Sequence, residues 1–208
     1  YDAASHCYVI SRPALIAEVL QHPACRVRPL DAAVPPALQQ RRSGEFFASL
    51  MRMNDGVRHQ IAKQVSRQCL GPLTEQLVAV ACQQALQQLV VSQKVQSAAA
   101  LNQLLCSYPL YVLANLLGFA PAQQARLVEL VRQLMACLSP HSDGAALALA
   151  DAATATLQQE LQALWQAEPA APLLQQLRAE VASANWQDLT AVLLNLAVLM
   201  AGVLGYRF

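Results

Sequence analysis

Aromatic residues are scarce. Phe, Trp and Tyr together make up 5% of the 208 residues, too few for the stacking platforms that hold single-stranded nucleic acid. Neither sign of charge dominates: Lys and Arg number 14, Asp and Glu 13, for a net charge of +1. A basic nucleic-acid surface and an acidic solvating tail are both disfavoured by that balance. Charged residues of either sign reach only 13%, against 55% hydrophobic residues, so a chain disordered along its whole length is excluded and a sizeable core is provided for. There is no G-x-S-x-G, H-E-x-x-H, G-x-G-x-x-G or G-x-x-x-x-G-K stretch, which removes the sequence-local signatures of α/β-hydrolases, zinc proteases, dinucleotide folds and P-loops. No repeat of fixed period occurs. No basic region followed by an apolar run opens the chain, so no signal peptide is expected. The first residue is Tyr1 rather than Met, from which we expect a longer parent chain.

What is present reads as helix. The six cysteines, Cys7, Cys25, Cys69, Cys82, Cys106 and Cys137, are widely spaced with no Cys-x-x-Cys among them. Most fall inside apolar helical patterns, where a free thiol behaves as a small hydrophobe, so a reducing, cytoplasmic location is expected. His6-Cys7 and His22 with Cys25 do not supply the four closely spaced ligands of a tetrahedral site, and no metal is predicted there. Cys7–Ile10 and residues 25–28 read as short β-strands. Ser11 and Pro13 open a helix that Pro23 ends. Residues 29–50, with Pro29, Pro35, Pro36 and Gly44, read as a loop with one helical turn.

Helices are predicted over 57–70, capped by Asn54 or Asp55 and stopped by Gly71-Pro72, with Ile61, Val65 and Cys69 as the buried stripe. Further helices span 73–91, 98–117 with Pro109 as a kink or boundary, 121–138, 145–167 and 173–181. Ser139 to Gly144 is a loop, and a last helix begins at Asn185 or Asp188. Residues 189–206 are apolar apart from Thr190 and Asn195. A run of that length meets the requirement for a membrane span, including a C-terminal tail anchor. It also meets that of a helix buried on all sides in a large soluble protein. Asn195, Gly202, Gly205 and the lack of a flanking basic cluster favour the buried helix.

Four stretches, in order, resemble the N-terminal half of a bacterial cytochrome P-450, a haem-thiolate monooxygenase. YVISRPALIAEVLQHPACRVRP (8–29) resembles that family's strand, helix B and strand. LMRMNDGVRHQIAKQVSRQCLGP (50–72) resembles the start of helix C, where a Met-Asp-x-Pro stretch precedes His-x-x-x-Arg. CSYPLYVLANLLGFAPAQQARL (106–127) resembles helix E and the start of helix F, and DLTAVLLNLAVLMAG (188–202) the first half of helix I. The resemblance implies a mainly α fold with a few short N-terminal β-strands. It makes residues 1–208 a single partial P-450-like domain that ends within the central helix.

The same resemblance implies roles for particular residues. His59 and Lys63 correspond to the His and Arg that bind a haem propionate. Positions i and i+4 share a helix face, although Lys lacks the bidentate fork of Arg, and a solvated face satisfies the same spacing. Ala201 and Gly202 correspond to the small pair that leaves room over the haem for dioxygen; the alternative is a small-residue contact between helices. The family's acid and Thr, which deliver protons, are replaced here by Leu204 and Gly205. Phe46, Phe47 and Leu50 lie where the family contacts substrate, and core packing accounts for them equally well.

Arg58, Lys63 and Arg67 form a basic strip that in the family meets an acidic donor such as a ferredoxin; a solvated face is the alternative. The loop at 139–144 corresponds to the lid between helices F and G. None of the six cysteines sits in the Phe-x-x-Gly-x-x-x-Cys setting that ligates haem iron, and the thiolate is what drives O–O cleavage. The expectation is thus the N-terminal portion of a haem-dependent monooxygenase that hydroxylates a small organic or carrier-bound substrate. Its parent would use haem and a ferredoxin-type donor, with no nucleic-acid or membrane partner, and the 208 residues alone would be inactive. Two other expectations stand beside it: a haem-free P-450-like scaffold or partner protein, and a tail-anchored helical membrane protein.

Overall fold

A computed structural model describes residues 6–29, 34–92, 94–139, 141–167 and 171–184, together with residues 1 and 32. Its helices are α1 (Pro13–Gln21), α2 (Arg42–Ser49), α3 (Gly56–Leu70), α4 (Glu75–Ser92), α5 (Ala98–Leu117), α6 (Pro121–Ala136), α7 (Gly144–Gln166) and α8 (Pro172–Ala184), with single 3-10 turns at Pro36–Leu38 and Met51–Met53. The protein is mainly α. Among the described residues no strand forms: Cys7 makes an isolated bridge, and residues 8–10 and 25–28 have no regular structure. A strand needs a paired neighbour for its backbone groups. Here Tyr8 and Val9 are exposed, Tyr8 meeting only the Tyr1 ring among the described residues, so the two expected N-terminal strands are corrected to irregular chain.

The core is built on α6 and α7. These two form an antiparallel hairpin, since Arg126 near the start of α6 pairs with Glu160 near the end of α7 at 2.8 Å. Leu127, Val131, Leu134 and Met135 of α6 and Leu147, Ala150, Leu157 and Leu161 of α7 belong to one buried cluster. Their spacing of three, four and seven residues is the stripe that a 3.6-residue period buries. Each fully buried Leu contributes about 1.5–3 kcal/mol relative to exposure. Phe46 and Phe47 of α2, Leu110, Leu113 and Leu117 of α5, and Leu173 and Leu177 of α8 complete the cluster. A second cluster joins α4 to α5 through Ala81, Ala85, Leu89, Leu104, Tyr111 and Val112.

Caps and turns set the corners. Ser97 Oγ accepts from the Ala100 N–H to start α5 (3.1 Å), and the Asp143 carboxylate accepts from the Ala146 N–H to start α7 (2.8 Å). α5 runs through Pro109 as continuous helix and ends at Gly118, whose φ of 86° is the left-handed C-terminal turn that glycine adopts freely. A Cβ there would also meet Ala171 at 2.9 Å, which is how the α5 terminus lies close against the start of α8. At the head of α6 the Ala120 N–H donates to the Gln123 side chain. Gln124, fully buried, donates to Asn115 Oδ1 (2.8 Å) and to the Phe119 carbonyl (3.0 Å), and Asn115 donates to the Ala81 carbonyl (3.2 Å). That chain of amides ties α6 to α5 and α4.

Three expectations need correction. Residues 42–49 form a full helix rather than loop. Gly44 makes this possible, because a Cβ there would stand 1.9 Å from the Leu38 carbonyl oxygen. Helix α1 is capped at Arg12, not Ser11, without a side-chain hydrogen bond. In α3 the buried positions are Ala62 and Ser66, while Ile61 is 42% exposed; the side chains of Val65 and Cys69 lie outside the described residues. Residues 189–206, with Ala201 and Gly202, lie outside them as well.

Candidate functional site

The corner between α2 and α3 gathers most of the residues singled out above. α2 ends at Ser49, the chain makes one 3-10 turn at Met51–Met53, and Asp55 leads into α3. Asn54 fastens this corner: its side-chain amide donates to the carbonyls of Ala48 (2.9 Å) and Leu50 (2.7 Å), and its oxygen accepts from Arg28 Nη2 (3.3 Å). Asp55 does not cap α3 with its side chain. Its carboxylate instead accepts from the Val27 N–H at 3.2 Å. The guanidinium of Arg28 lies 5.9 Å from the centre of the Phe47 ring, a cation–π distance. The 25–28 segment is thus fixed to this corner by two hydrogen bonds and a ring contact.

His59 is half-buried on the first turns of α3, with Nδ1 3.1 Å from the Met51 carbonyl oxygen. A carbonyl only accepts, so Nδ1 carries the proton. Nε2 then presents a lone pair in the neutral ring and a donor only in the imidazolium. Lys63, one turn on, is exposed, as is Arg67; the Arg58 side chain lies outside the described residues. His59 and Lys63, four residues apart, share a helix face. Phe46 and Phe47 are 3% and 9% exposed and lie in the core with Leu38 and Leu50. The structure therefore brings Phe46, Phe47, His59 and Lys63 to one corner, with the phenylalanines turned inward.

A charged cluster missed from sequence lies between α2 and α7. Asp151 accepts from the Ser43 hydroxyl (2.6 Å) and N–H (3.0 Å) and pairs with Arg41 at 3.0 Å. Burial pulls the Asp151 carboxyl upward, but the Ser43 bonds and the Arg41 charge outweigh it and hold the group below the usual carboxylate range. Cys137 is buried, and burial together with the Asp151 charge pushes its thiol up to about 11. Such a thiol is inert as a nucleophile at neutral pH. The only sequence signal for this cluster was Asp151 on an otherwise Ala- and Leu-rich helix. No linear spacing connects it to Ser43.

In the loop expected to serve as a lid, Ser142 Oγ donates to the carbonyls of Ala136 and Ser139, so it is held by its own bonds. Among the described residues no group of three or more His, Cys, Asp or Glu side chains is placed to hold a metal ion, and no helix is long and apolar enough to cross a membrane. The chain matches no protein-family model and no curated protein.

Proposed function

We propose that this chain is the N-terminal portion of a haem-dependent monooxygenase with a partial cytochrome P-450 fold, hydroxylating a small organic or carrier-bound substrate. The observation that carries the reading is the sequential placement of the resembling stretches. Residues 50–72 fall on the turn and helix that hold His59, and residues 106–127 run through the Pro109 helix and its Gly118 stop into the next helix. The long α6–α7 hairpin with its 139–144 loop suits the helix pair that covers the substrate in this family.

His59 and Lys63 are the residues of this chain that would hold a haem propionate, and Ala201 with Gly202 would leave space above the ring. Haem, when bound, supplies the oxygen activation. In this reading Phe46 and Phe47, set in the core, are the residues that would contact substrate. The exposed Lys63 and Arg67 are the described part of the basic strip on which a ferredoxin-type donor would dock. A cytoplasmic location follows from the thiol usage and belongs to the same proposal. The 208 residues lack the cysteine setting for iron and are inactive by themselves in this reading.

A second reading, a haem-free scaffold or partner protein, is favoured by one specific feature: Leu204 and Gly205 stand where the family keeps its acid and Thr. The nucleotide sequence following the codon for Phe208 separates the two. A frame that continues into a Glu-x-x-Arg pair and a Cys-containing haem loop is the expected result. A frame with neither leaves the scaffold reading in its place.

A further inference from the structure

α5 and α6 are joined by the tight turn at Gly118 and open away from it as a fork. The Asn115–Gln124 bond closes the fork at its base. Between the arms lies a cavity of about 420 Å³ lined by residues of both helices, from Ala99 to Tyr111 on one and Ala125 to Arg132 on the other. That volume is within the range of sites that hold small organic molecules, roughly 300–1,000 Å³. It is walled by the Tyr111 ring, Val128, Ala125 and the half-buried Cys106.

Two of its polar groups have donors to spare. Tyr111 is 6% exposed, lines the cavity, and finds no hydrogen-bond partner for its hydroxyl among the described residues. Burial raises its pKa above the ordinary phenol value, so it stays a neutral donor. The hydroxyl oxygen itself is reached by solvent, so a ligand that displaces that water can take over its hydrogen bond. Arg132 stands at the outer end. One of its nitrogens, Nη2, meets Glu129 at 2.8 Å. Glu129 is already engaged on its other oxygen by Gln133 (2.9 Å). The remaining guanidinium donors of Arg132 are thus open to an anion, and with 55% of its side chain exposed the ion pair it makes with Glu129 exchanges cheaply. Counting outward from the turn, Arg132 lies level with about residue 106 of α5. The rise from there to Tyr111 is roughly 8 Å, the length of a six-membered ring with a substituent at each end.

From this geometry we infer that the α5–α6 fork is a binding site for a small aromatic carboxylic acid. The carboxylate sits on Arg132, the ring lies against Val128 and Ala125, and a polar substituent at the far end accepts from the Tyr111 hydroxyl. The site shares none of the residues assigned to haem.

Cys106 supplies the readout. With the intact 208-residue chain, the rate of alkylation at Cys106 is followed by peptide mapping in the presence of 4-hydroxybenzoate, benzoate or methyl 4-hydroxybenzoate. The expected result is protection of Cys106, with unchanged alkylation of Cys7 and Cys25, by 4-hydroxybenzoate most and by the uncharged ester least. Y111F should weaken the protection by 4-hydroxybenzoate by about tenfold, the worth of one lost hydrogen bond, and leave that by benzoate unchanged. R132Q, a change at an exposed position that leaves the fold intact, should abolish the preference for acid over ester. Equal Cys106 rates with and without all three compounds, or protection by the ester equal to that by the acid in the unaltered chain, overturns the proposal.

Discussion

The α6–α7 hairpin and the N-terminal α1 segment are both rich in Ala, Leu and Val, yet only one of them forms core. In the hairpin Leu134, Leu157 and Ala150 are at most 1% exposed. In α1 no residue is buried, and Leu15, Ile16, Val19 and Leu20 are 36–81% exposed. The difference lies in what each apolar stripe faces. α6 and α7 are adjacent in sequence, joined by a short loop, and bury each other. α1 has no other helix laid over its apolar stripe among the described residues; the 25–28 segment that follows it is tied to the α2–α3 corner instead. Hydrophobic patterning marks which side chains favour burial; burial itself requires a partner surface.

Substitutions break or sharpen that contrast. L157A opens a void in the hairpin core and should cost about 2–5 kcal/mol, read as a lower urea midpoint with an unchanged slope. D151N strips the charge that Ser43 and Arg41 hold between α2 and α7. It should cost about 1.5–3 kcal/mol at neutral pH, as for hydrogen bonds to a charged group. The pH dependence follows from the same group. A carboxyl held low in the folded protein contributes fully above its ordinary value of 3.8 and less as pH falls through and below it. The unaltered protein should therefore lose stability on acidification more steeply than D151N. At the alkaline end Cys137, held up to about 11 against an ordinary 9.0, makes stability fall as pH rises across that interval.

G44A forces a Cβ onto the Leu38 carbonyl and should cost about 1–3 kcal/mol, measured by the same urea titration. L15A is the smallest effect: an exposed α1 position should change stability by less than about 0.5 kcal/mol. A loss at Leu15 as large as that at Leu157 would mean that α1 is covered in solution, and the contrast would vanish.

Much of this fold was legible in the sequence because most of it is local. Gly71-Pro72, Gly118, Pro121 and Asp143 are punctuation that acts within a few residues, and the helices they bound lie where that punctuation predicts. What failed was non-local. Residues 42–49 look like loop because Gly44 reads as a breaker. Its actual use is to let the helix approach Leu38, a contact no linear pattern encodes. Cys7–Ile10 and 25–28 have strand composition, but among the described residues they form no strand. Ile61 continues a four-residue spacing, while the face that packs is that of Ala62 and Ser66. The candidate site divides the same way. His59 and Lys63 share a face because a helix requires it. The Asp151–Ser43–Arg41 cluster arises from distant segments meeting, and its one linear trace is Asp151 on an otherwise Ala- and Leu-rich helix.

The haem reading is tested most directly by the ferrous carbon monoxide difference spectrum of the protein expressed from its complete gene, beside that of H59A. The account predicts the red-shifted Soret band of a thiolate-ligated haem, with lower haem occupancy in H59A. A protein purified without haem that gains none when haem is added would contradict it.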